Sequence, residues 1–191
     1  MILRPSVAAL LAAFAAAALA PCGARAEAGQ EEIPAGHFYF GITGQAVQPF
    51  GRALISREPL SVGLGGGFYA HYEGEHFLIG GELGGGRFGN DDTYSNPFIL
   101  AVRGGPIFGS GRYAPYFAAG IALLAYGAVG DDAATARGIS AEAGVLLFRD
   151  LRWFRLTPFL QYNLPVSAGS GKGSEHVTQL SWAALGLRAQ F

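Results

Sequence analysis

The sequence predicts an all-β protein, an eight-stranded antiparallel up-and-down transmembrane β-barrel preceded by a cleavable signal peptide. Three observations predict it. Only 13 basic and 14 acidic side chains occur among 191 residues, of which 50% are hydrophobic. After residue 26 no stretch is apolar for long enough to form a membrane-spanning helix. After Gly36, apolar residues alternate with small or polar ones. The charge balance also excludes a nucleic-acid binder, and the hydrophobicity excludes a disordered chain.

Residues 1–26 have the three-part layout of a secretory signal peptide. Arg4 gives the positive start, residues 7–20 form an apolar run, and residues 24–26 read Ala-Arg-Ala, a typical cleavage site. The apolar run is too short to cross a bilayer. Cys22 follows Pro21, where a lipid-attachment signal needs a small residue, so lipidation is not expected. We therefore expect a short periplasmic segment at 27–36 and a barrel domain at 37–191.

Eight segments of alternating residues make up the predicted barrel. In each segment one face is apolar and bulky, whereas the other is small or polar. A barrel without cysteine in its mature chain depends on a closed, fully hydrogen-bonded sheet for its stability. The predicted strands are residues 37–47, 60–72, 76–88, 98–109, 112–126, 136–148, 154–165 and 177–191.

None of the residues assigned to the apolar faces is charged, whereas Glu82, Arg103, Glu142 and Arg188 fall on the small-residue face. A soluble barrel turns its charges outward to water, so a bulky face without charge indicates contact with lipid. The interior of an eight-stranded barrel is barely wide enough for side chains. We therefore expect an ion-pair network of Glu82, Arg103 and Glu142 that fills the lumen, since buried charges need partners. A proton or ion path through these residues is the alternative.

The connections between the predicted strands alternate between long and short. Long loops at 48–59, 89–97, 127–135 and 166–176 then share the outer rim, while both termini lie in the periplasm. Aromatic residues near the strand ends fit interfacial girdles. They are Phe38, Tyr72, Phe77, Phe108, Tyr113, Phe154 and Phe191.

Three stretches resemble the small outer-membrane barrels of the OmpA/OmpX type. They are Phe-Tyr-Phe-Gly at 38–41, the Pro-Tyr-x-x-x-Gly pattern within 114–121, and the alternating end at 185–191. The resemblance covers essentially the whole mature chain and implies the same barrel in the outer membrane. It also implies that Leu185, Leu187 and Phe191 form the C-terminal signal read by the barrel-assembly machinery, although Ala189 stands where many members carry Tyr.

Several groups of residues could serve in catalysis or metal binding, and each of them also has a simpler interpretation. His71 and His76 flank a short turn with Glu73 and Glu75, which suggests either a weak surface metal site or, preferably, solvated turn residues. Outer-membrane lipid A deacylases share this strand plan but carry a His-x-Ser pair, where residues 161–163 read Gln-Tyr-Asn. The Asp pairs at 91–92 and 131–132 suit solvated loop tips, or divalent cations beside lipopolysaccharide.

The sequence therefore predicts a monomeric, non-enzymatic protein of the outer membrane of a Gram-negative cell. Its packed lumen and exposed loops suit an envelope scaffold or a surface for adhesion and binding, because function concentrates on loops held by rigid scaffolds. The expected partners are outer-membrane lipid, lipopolysaccharide and the barrel-assembly machinery. No cofactor or nucleic acid is expected. A lipid-modifying barrel enzyme and a soluble periplasmic ligand-binding barrel are the alternatives.

Overall fold

Eight antiparallel strands close into one barrel, each strand pairing with its neighbours in chain order and β1 pairing with β8. This computed structural model describes residues 36–50, 61–89, 94–128, 133–151, 153–170 and 180–191. The predicted all-β fold is confirmed, whereas the predicted signal peptide lies outside the described residues. The strands, β1 to β8, are His37–Phe50, Gly63–Glu73, Phe77–Gly89, Tyr94–Pro106, Tyr113–Ala128, Ala133–Leu147, Arg155–Ala168 and Ser181–Gln190.

Those described ranges contain no helix with the length and the hydropathy that crossing a membrane requires.

The strands are staggered as well as closed. The chain of paired residues that starts at Tyr39 and passes once around the barrel returns to β1 at Pro49, ten residues further along the strand. Such a stagger tilts the strands by about 35–45° from the barrel axis and leaves an interior that side chains fill. The chain of pairs is Tyr39, His71, Gly80, Arg103, Gly120, Ser140, Asn163, Trp182 and Pro49.

The outward face is apolar and open. Phe38, Leu64 and Ile121 are 68%, 76% and 75% exposed. These side chains belong to the faces that the alternation pattern marked as apolar, and a monomeric soluble protein rarely exposes so continuous a hydrophobic surface. Two outward cations, Arg87 on β3 and Arg137 on β6, interrupt this face near the ends of strands that lead to the longer connections.

The inward face combines buried aromatic and polar side chains with glycine. Glycines on this face allow neighbouring strands to approach closely: a Cβ added to Gly120 would lie 2.8 Å from the Cα of Arg103 and closer still to the carbonyl oxygen of Val102. Glycine at such positions lets a sheet bend into a barrel. The space left inside is filled by bulkier residues that the small-residue pattern did not emphasise, including Tyr39, Tyr126, Phe159 and Trp182.

Six of the eight strands extend further toward the longer connections than the sequence predicted, whereas β2 and β8 begin later, at Gly63 and Ser181 instead of residues 60 and 177. β1 continues to Phe50 and β7 to Ala168, while β4 begins at Tyr94 instead of residue 98. The Ser-Asn-Pro sequence at 95–97 has turn-forming composition, but pairing with β5 keeps it in the sheet. This is a case in which tertiary pairing overrides local propensity.

The aromatic residues predicted near the strand ends all lie at the rim formed by the short turns. Phe38 contacts Tyr72 with ring centroids 5.1 Å apart, and Phe154 contacts Phe191 at 5.6 Å. Trp153, which is 67% exposed, extends this group. The short-turn rim therefore carries a continuous aromatic border on part of its circumference.

Candidate functional site

The middle of the lumen holds a network of four charged side chains from four different strands. We call Glu82, Arg103, Glu142 and Arg188 the central network. Arg103 donates hydrogen bonds to Glu82 and, at 2.7 Å, to the hydroxyl of Ser140. Arg188 donates to Glu142 with a distance of 2.6 Å from Nη2 to Oε2, and it lies 3.4 Å from Glu82. Both carboxylates are therefore bridged by both guanidinium groups, because Arg103 also lies 3.3 Å from Glu142.

The sheet provides room for these long side chains. Arg103 stands opposite Gly80 on β3 and Gly120 on β5, so neither cross-strand neighbour has a side chain that would obstruct its guanidinium group. The residue directly opposite Arg103 on β3 is Gly80, and Glu82 lies two residues further along that strand. The ion pair is diagonal across the strands, a separation that long side chains readily span.

Aromatic rings surround Arg188. Its guanidinium carbon lies 3.8 Å from the ring centroid of Tyr69 and 3.9 Å from that of Phe159. Cation–π contacts of this kind become stronger where water is excluded. Tyr116 also belongs to this group, and its hydroxyl donates a hydrogen bond to Glu142.

The central network is electrically balanced, with two carboxylates and two guanidinium groups. All four side chains are at least 98% buried. Opposite charges at hydrogen-bonding distance offset the cost of removing each charge from water. This arrangement fills the lumen with fixed, mutually neutralised charge instead of presenting a reactive group to a substrate.

An apolar layer fills the lumen on the side of the longer connections. Trp182, Leu180 and Tyr126 lie at its centre, and the Tyr126 hydroxyl donates to the carbonyl oxygen of Leu180 at 3.0 Å. Each of these residues is at most 2% exposed. An ion entering from this end would have to leave water and cross a layer that offers few polar partners.

A second polar group lies inside the barrel at the short-turn end. We call Tyr39, His71, Glu73, Arg149 and Arg155 the mouth cluster. Glu73 accepts hydrogen bonds from Nε of Arg149 at 2.8 Å and from Nε of Arg155 at 3.1 Å. The two arginines come from the turn after β6 and from the start of β7, so this single carboxylate connects opposite sides of the barrel.

Arg149 also holds the short turns together. Its Nη1 atom donates to the carbonyl oxygen of Gly109 at 3.1 Å, and its Nη2 atom donates to that of Glu75 at 3.3 Å. These two acceptors belong to the β4–β5 and β2–β3 turns, while Arg149 itself belongs to the β6–β7 turn. One side chain therefore bridges the three short turns of the barrel.

A chain of hydrogen bonds holds the His71 ring at its Nδ1 atom. Gln190 Nε2 lies 2.8 Å from His71 Nδ1, and the Thr157 hydroxyl lies 3.1 Å from Gln190 Oε1. The Thr157 hydroxyl donates to Gln190 Oε1, and the amide nitrogen of Gln190 donates to His71 Nδ1. The His71 ring then accepts at Nδ1 and carries its proton on Nε2.

The structure corrects the interpretation of two residues near the β2–β3 turn, His71 and Glu73. His71 and Glu73 were expected to be solvated turn residues, but both are buried, at 3% and 1% exposure. Both side chains point into the lumen because they follow the inward alternation of β2. His76 and Glu75 remain on the surface, 3.4 Å apart.

The network predicted from the sequence contained Glu82, Arg103 and Glu142 but not Arg188, although the alternation places Arg188 on the inward face. Arg155 was not predicted to face the lumen. Arg155 has the same strand parity as Phe159 and Gln161, which was a usable signal for an inward position. Arg149 lies outside the strands, so alternation gives no indication of its position.

Gln161 and Asn163 occupy the stretch compared with the His-x-Ser pair of lipid A deacylases. Both side chains point into the lumen and are completely buried. Gln161 Nε2 donates to Asn163 Oδ1 at 3.2 Å. The Asp pairs at 91–92 and 131–132 lie outside the described residues.

The three residues predicted to form the C-terminal assembly signal lie in or next to β8. Leu187 and Phe191 are 48% and 63% exposed on the outward face, whereas Leu185 is half-buried. Phe191 exchanges two backbone hydrogen bonds with Phe40, of 3.0 and 2.7 Å. The end of the chain therefore belongs to the β1–β8 seam that closes the barrel.

Comparisons with known proteins identify the fold. The chain matches no protein-family model and no curated protein sequence. It is similar to the crystal structure of neisserial surface protein A, with a TM-score of 0.62 and 15% identity over 80% of this chain and 95% of that one. It is also similar to the outer membrane protein OprG from Pseudomonas aeruginosa, with a TM-score of 0.51 and 10% identity over 82% and 96%. The fold is that of the eight-stranded outer-membrane β-barrels.

Proposed function

We propose that this protein is an integral barrel of the outer membrane that acts as a rigid envelope scaffold and presents its longer loops for adhesion or binding. The observation that carries the proposal is that the distribution of side chains is the reverse of that in a soluble protein. Bulky apolar side chains cover the outward face, while the charged central network is buried. Lipid is the solvent in which this arrangement is favourable. The fold shared with other outer-membrane barrels supports the same location.

The outward face argues against a soluble periplasmic ligand-binding barrel, because such a barrel would expose these side chains to water. A lipid-modifying enzyme would need a nucleophile and a base within reach of each other. The buried pair of Gln161 and Asn163 does not supply them at the position where the deacylases carry theirs. We therefore propose a non-enzymatic role.

Export through a signal peptide at residues 1–26 and assembly as a monomer through Leu185, Leu187 and Phe191 belong to this proposal. Lipopolysaccharide and outer-membrane phospholipid are the proposed surroundings of the apolar face. The loops at residues 48–59 and 166–176 are the proposed contact surfaces. β1 and β7 extend into these ranges, to Phe50 and Ala168, and the next strands begin beyond them, at Gly63 and Ser181.

Protease treatment of intact cells tests the location and the orientation together. Cleavage confined to the four longer connections between strands, at residues 51–62, 90–93, 129–132 and 169–180, would support the proposal. Cleavage in the turns at 74–76 or 148–154 of intact cells would contradict it, because those turns would then face the medium. Partition into the outer-membrane fraction, with heat-modifiable migration in gels, is the accompanying control.

We expect Ile121→Lys to destabilise the folded protein in lipid vesicles by about 2–4 kcal/mol, the cost of a cation at the middle of the lipid-facing surface. Ile121 is 75% exposed and lies near the middle of β5. The measurement is urea-induced unfolding in vesicles. Val166→Lys is the matched control, because Val166 is 59% exposed near the end of β7, where the expected cost is about 0–1 kcal/mol. Equal costs at both positions would place the band of lipid contact elsewhere.

A plugged lumen predicts an insulating barrel. In planar lipid bilayers we expect the protein to produce no stable conductance steps of the kind that porins give. The balanced central network and the apolar layer around Trp182 are the physical reason. Stable, reproducible conductance steps from the pure protein would contradict the scaffold proposal and favour an ion path.

A further inference from the structure

We propose that the mouth cluster binds one small inorganic anion, such as chloride, between the side chains of Arg155, Tyr39 and His71. The proposal concerns a site that neither the scaffold function nor the central network requires. It rests on three observations: an excess of positive charge, an excess of hydrogen-bond donors, and the contact of those donors with one another.

The mouth cluster carries one more positive than negative charge. Glu73 is its one carboxylate, and it pairs with both Arg149 and Arg155. His71 does not add a charge when Nδ1 accepts from Gln190, because an acceptor nitrogen carries no proton. The nearby carboxylates of Glu75 and Asp150 do not make up the difference. Their side chains are 69% and 34% exposed, and they pair with His76 and Arg112 on the surface. The central network, by contrast, is neutral.

The unsatisfied atoms of the mouth cluster are donors. Arg155 Nη2, the Tyr39 hydroxyl and His71 Nε2 are all buried, and within the described residues none of them has a hydrogen-bonding partner. His71 Nε2 faces Glu73 Oε2 at 3.6 Å, a contact too long to satisfy this donor fully, so Arg155 Nη2 and the Tyr39 hydroxyl are the two donors with the greatest need of an acceptor. The other Arg155 nitrogens are occupied, Nε by Glu73 and Nη1 by carbonyl oxygens that include Phe148 at 2.8 Å. Buried donors without acceptors are costly, and an anion accepts from several donors at once.

These donors form one contiguous group. The guanidinium carbon of Arg155 lies 4.5 Å from the centre of the Tyr39 ring, and the rings of Tyr39 and His71 are stacked with centroids 5.4 Å apart. An anion would lie at the edges of these groups, where the donor atoms are, because the stacked faces leave no room for an ion between them. A cation would be repelled by the excess charge, and a water molecule would satisfy donors without neutralising that charge.

The unfolding temperature in different salts tests the proposal. The protein is purified in a neutral detergent, and its heat-modifiable gel shift is measured in sodium chloride and in sodium gluconate at equal ionic strength. Because ionic strength is matched, general screening contributes equally. We expect chloride to raise the unfolding temperature in a saturable manner and gluconate, which is too large for the site, to have no such effect. Identical curves in the two salts would overturn the proposal.

Two tyrosine variants locate the site. Tyr39→Phe removes a donor but keeps the ring against Arg155, so we expect the chloride concentration at half-effect to rise about tenfold, the usual value of a hydrogen bond to a charged group. Tyr69→Phe is the matched control, because Tyr69 also stacks on a buried arginine but belongs to the surroundings of the central network. We expect it to respond to chloride as the unmodified protein does. Equal responses of both variants would show that the anion does not bind at Tyr39.

A third variant distinguishes anion binding from a purely structural role. Glu73→Gln removes the carboxylate and increases the excess positive charge, so chloride should bind more tightly even though the folded protein loses two ion pairs. A structural role alone predicts lower stability and no gain in chloride affinity, and that outcome would overturn the proposal. In crystals grown with bromide, an anomalous peak beside Arg155 would support it, whereas a peak only elsewhere or a water molecule at this position would contradict it.

Discussion

Replacing Arg188 with methionine is expected to destabilise the folded barrel by about 3–5 kcal/mol, because it leaves an uncompensated buried charge. Glu82 and Glu142 would then share Arg103 as their remaining cationic partner in the central network. Methionine retains the length that packs between Tyr69 and Phe159, so the loss reports mainly on charge. The measurement is urea-induced unfolding in vesicles followed by tryptophan fluorescence, to which the buried Trp182 responds.

The double variant Arg188→Met with Glu142→Gln is the control for that interpretation. It removes one charge of each sign and leaves Glu82 paired with Arg103. We expect it to recover most of the lost stability, since replacing both partners of a buried pair costs less than removing one. If the double variant were less stable than Arg188→Met alone, packing and not charge balance would explain the effect.

Gly120→Val is expected to prevent the barrel from closing correctly and to cost at least about 3 kcal/mol, the upper range for overfilling a packed interior. Its Cβ would collide with the backbone of β4 at Val102 and Arg103. Backbone atoms within a hydrogen-bonded sheet cannot move aside as the end of a flexible side chain can. The measurement is the fraction that migrates as a compact species in unheated gels after refolding.

Gly44→Val is the matched control for the closing of the barrel. Gly44 lies on the outward face of β1, and a Cβ added there would meet nothing within 4 Å. Valine also favours strands, so we expect folding to be at least as efficient as in the unmodified protein. Similar failure of both valine variants would mean that glycine is required for a reason other than close approach of the strands.

The fold was predictable because alternation reveals which face each side chain occupies. The same parity that placed Phe38 and Ile121 outward placed Glu82, Arg103 and Glu142 inward. Strand ends were less predictable, as at Tyr94, because turn-forming residues such as those at 95–97 can still pair with a neighbouring strand. Alternation with a period of two residues shows whether a side chain points inward or outward, but it does not show where the pairing of two strands ends.

The partners inside the lumen depend on the stagger, which alternation does not determine. Arg188 on β8 reaches Glu82 on β3 because ten residues of offset around the barrel bring these positions to a common depth. The mouth cluster was harder still to predict. Glu73 and Arg149 lie at the end of a strand and in a turn, where polar residues are ordinarily solvated, and their burial follows only from the narrow width of the closed barrel.

The position of Arg149 has a consequence for protein engineering. Because one guanidinium group donates to the Glu73 carboxylate and to the carbonyl oxygens of Glu75 and Gly109, a peptide inserted into any of the three short turns would disturb the other two as well. Such grafts should reduce the yield of assembled protein regardless of the composition of the inserted peptide. A vaccine or sensor carrier derived from this chain should therefore leave the short-turn end unaltered and carry its foreign epitopes at the opposite end.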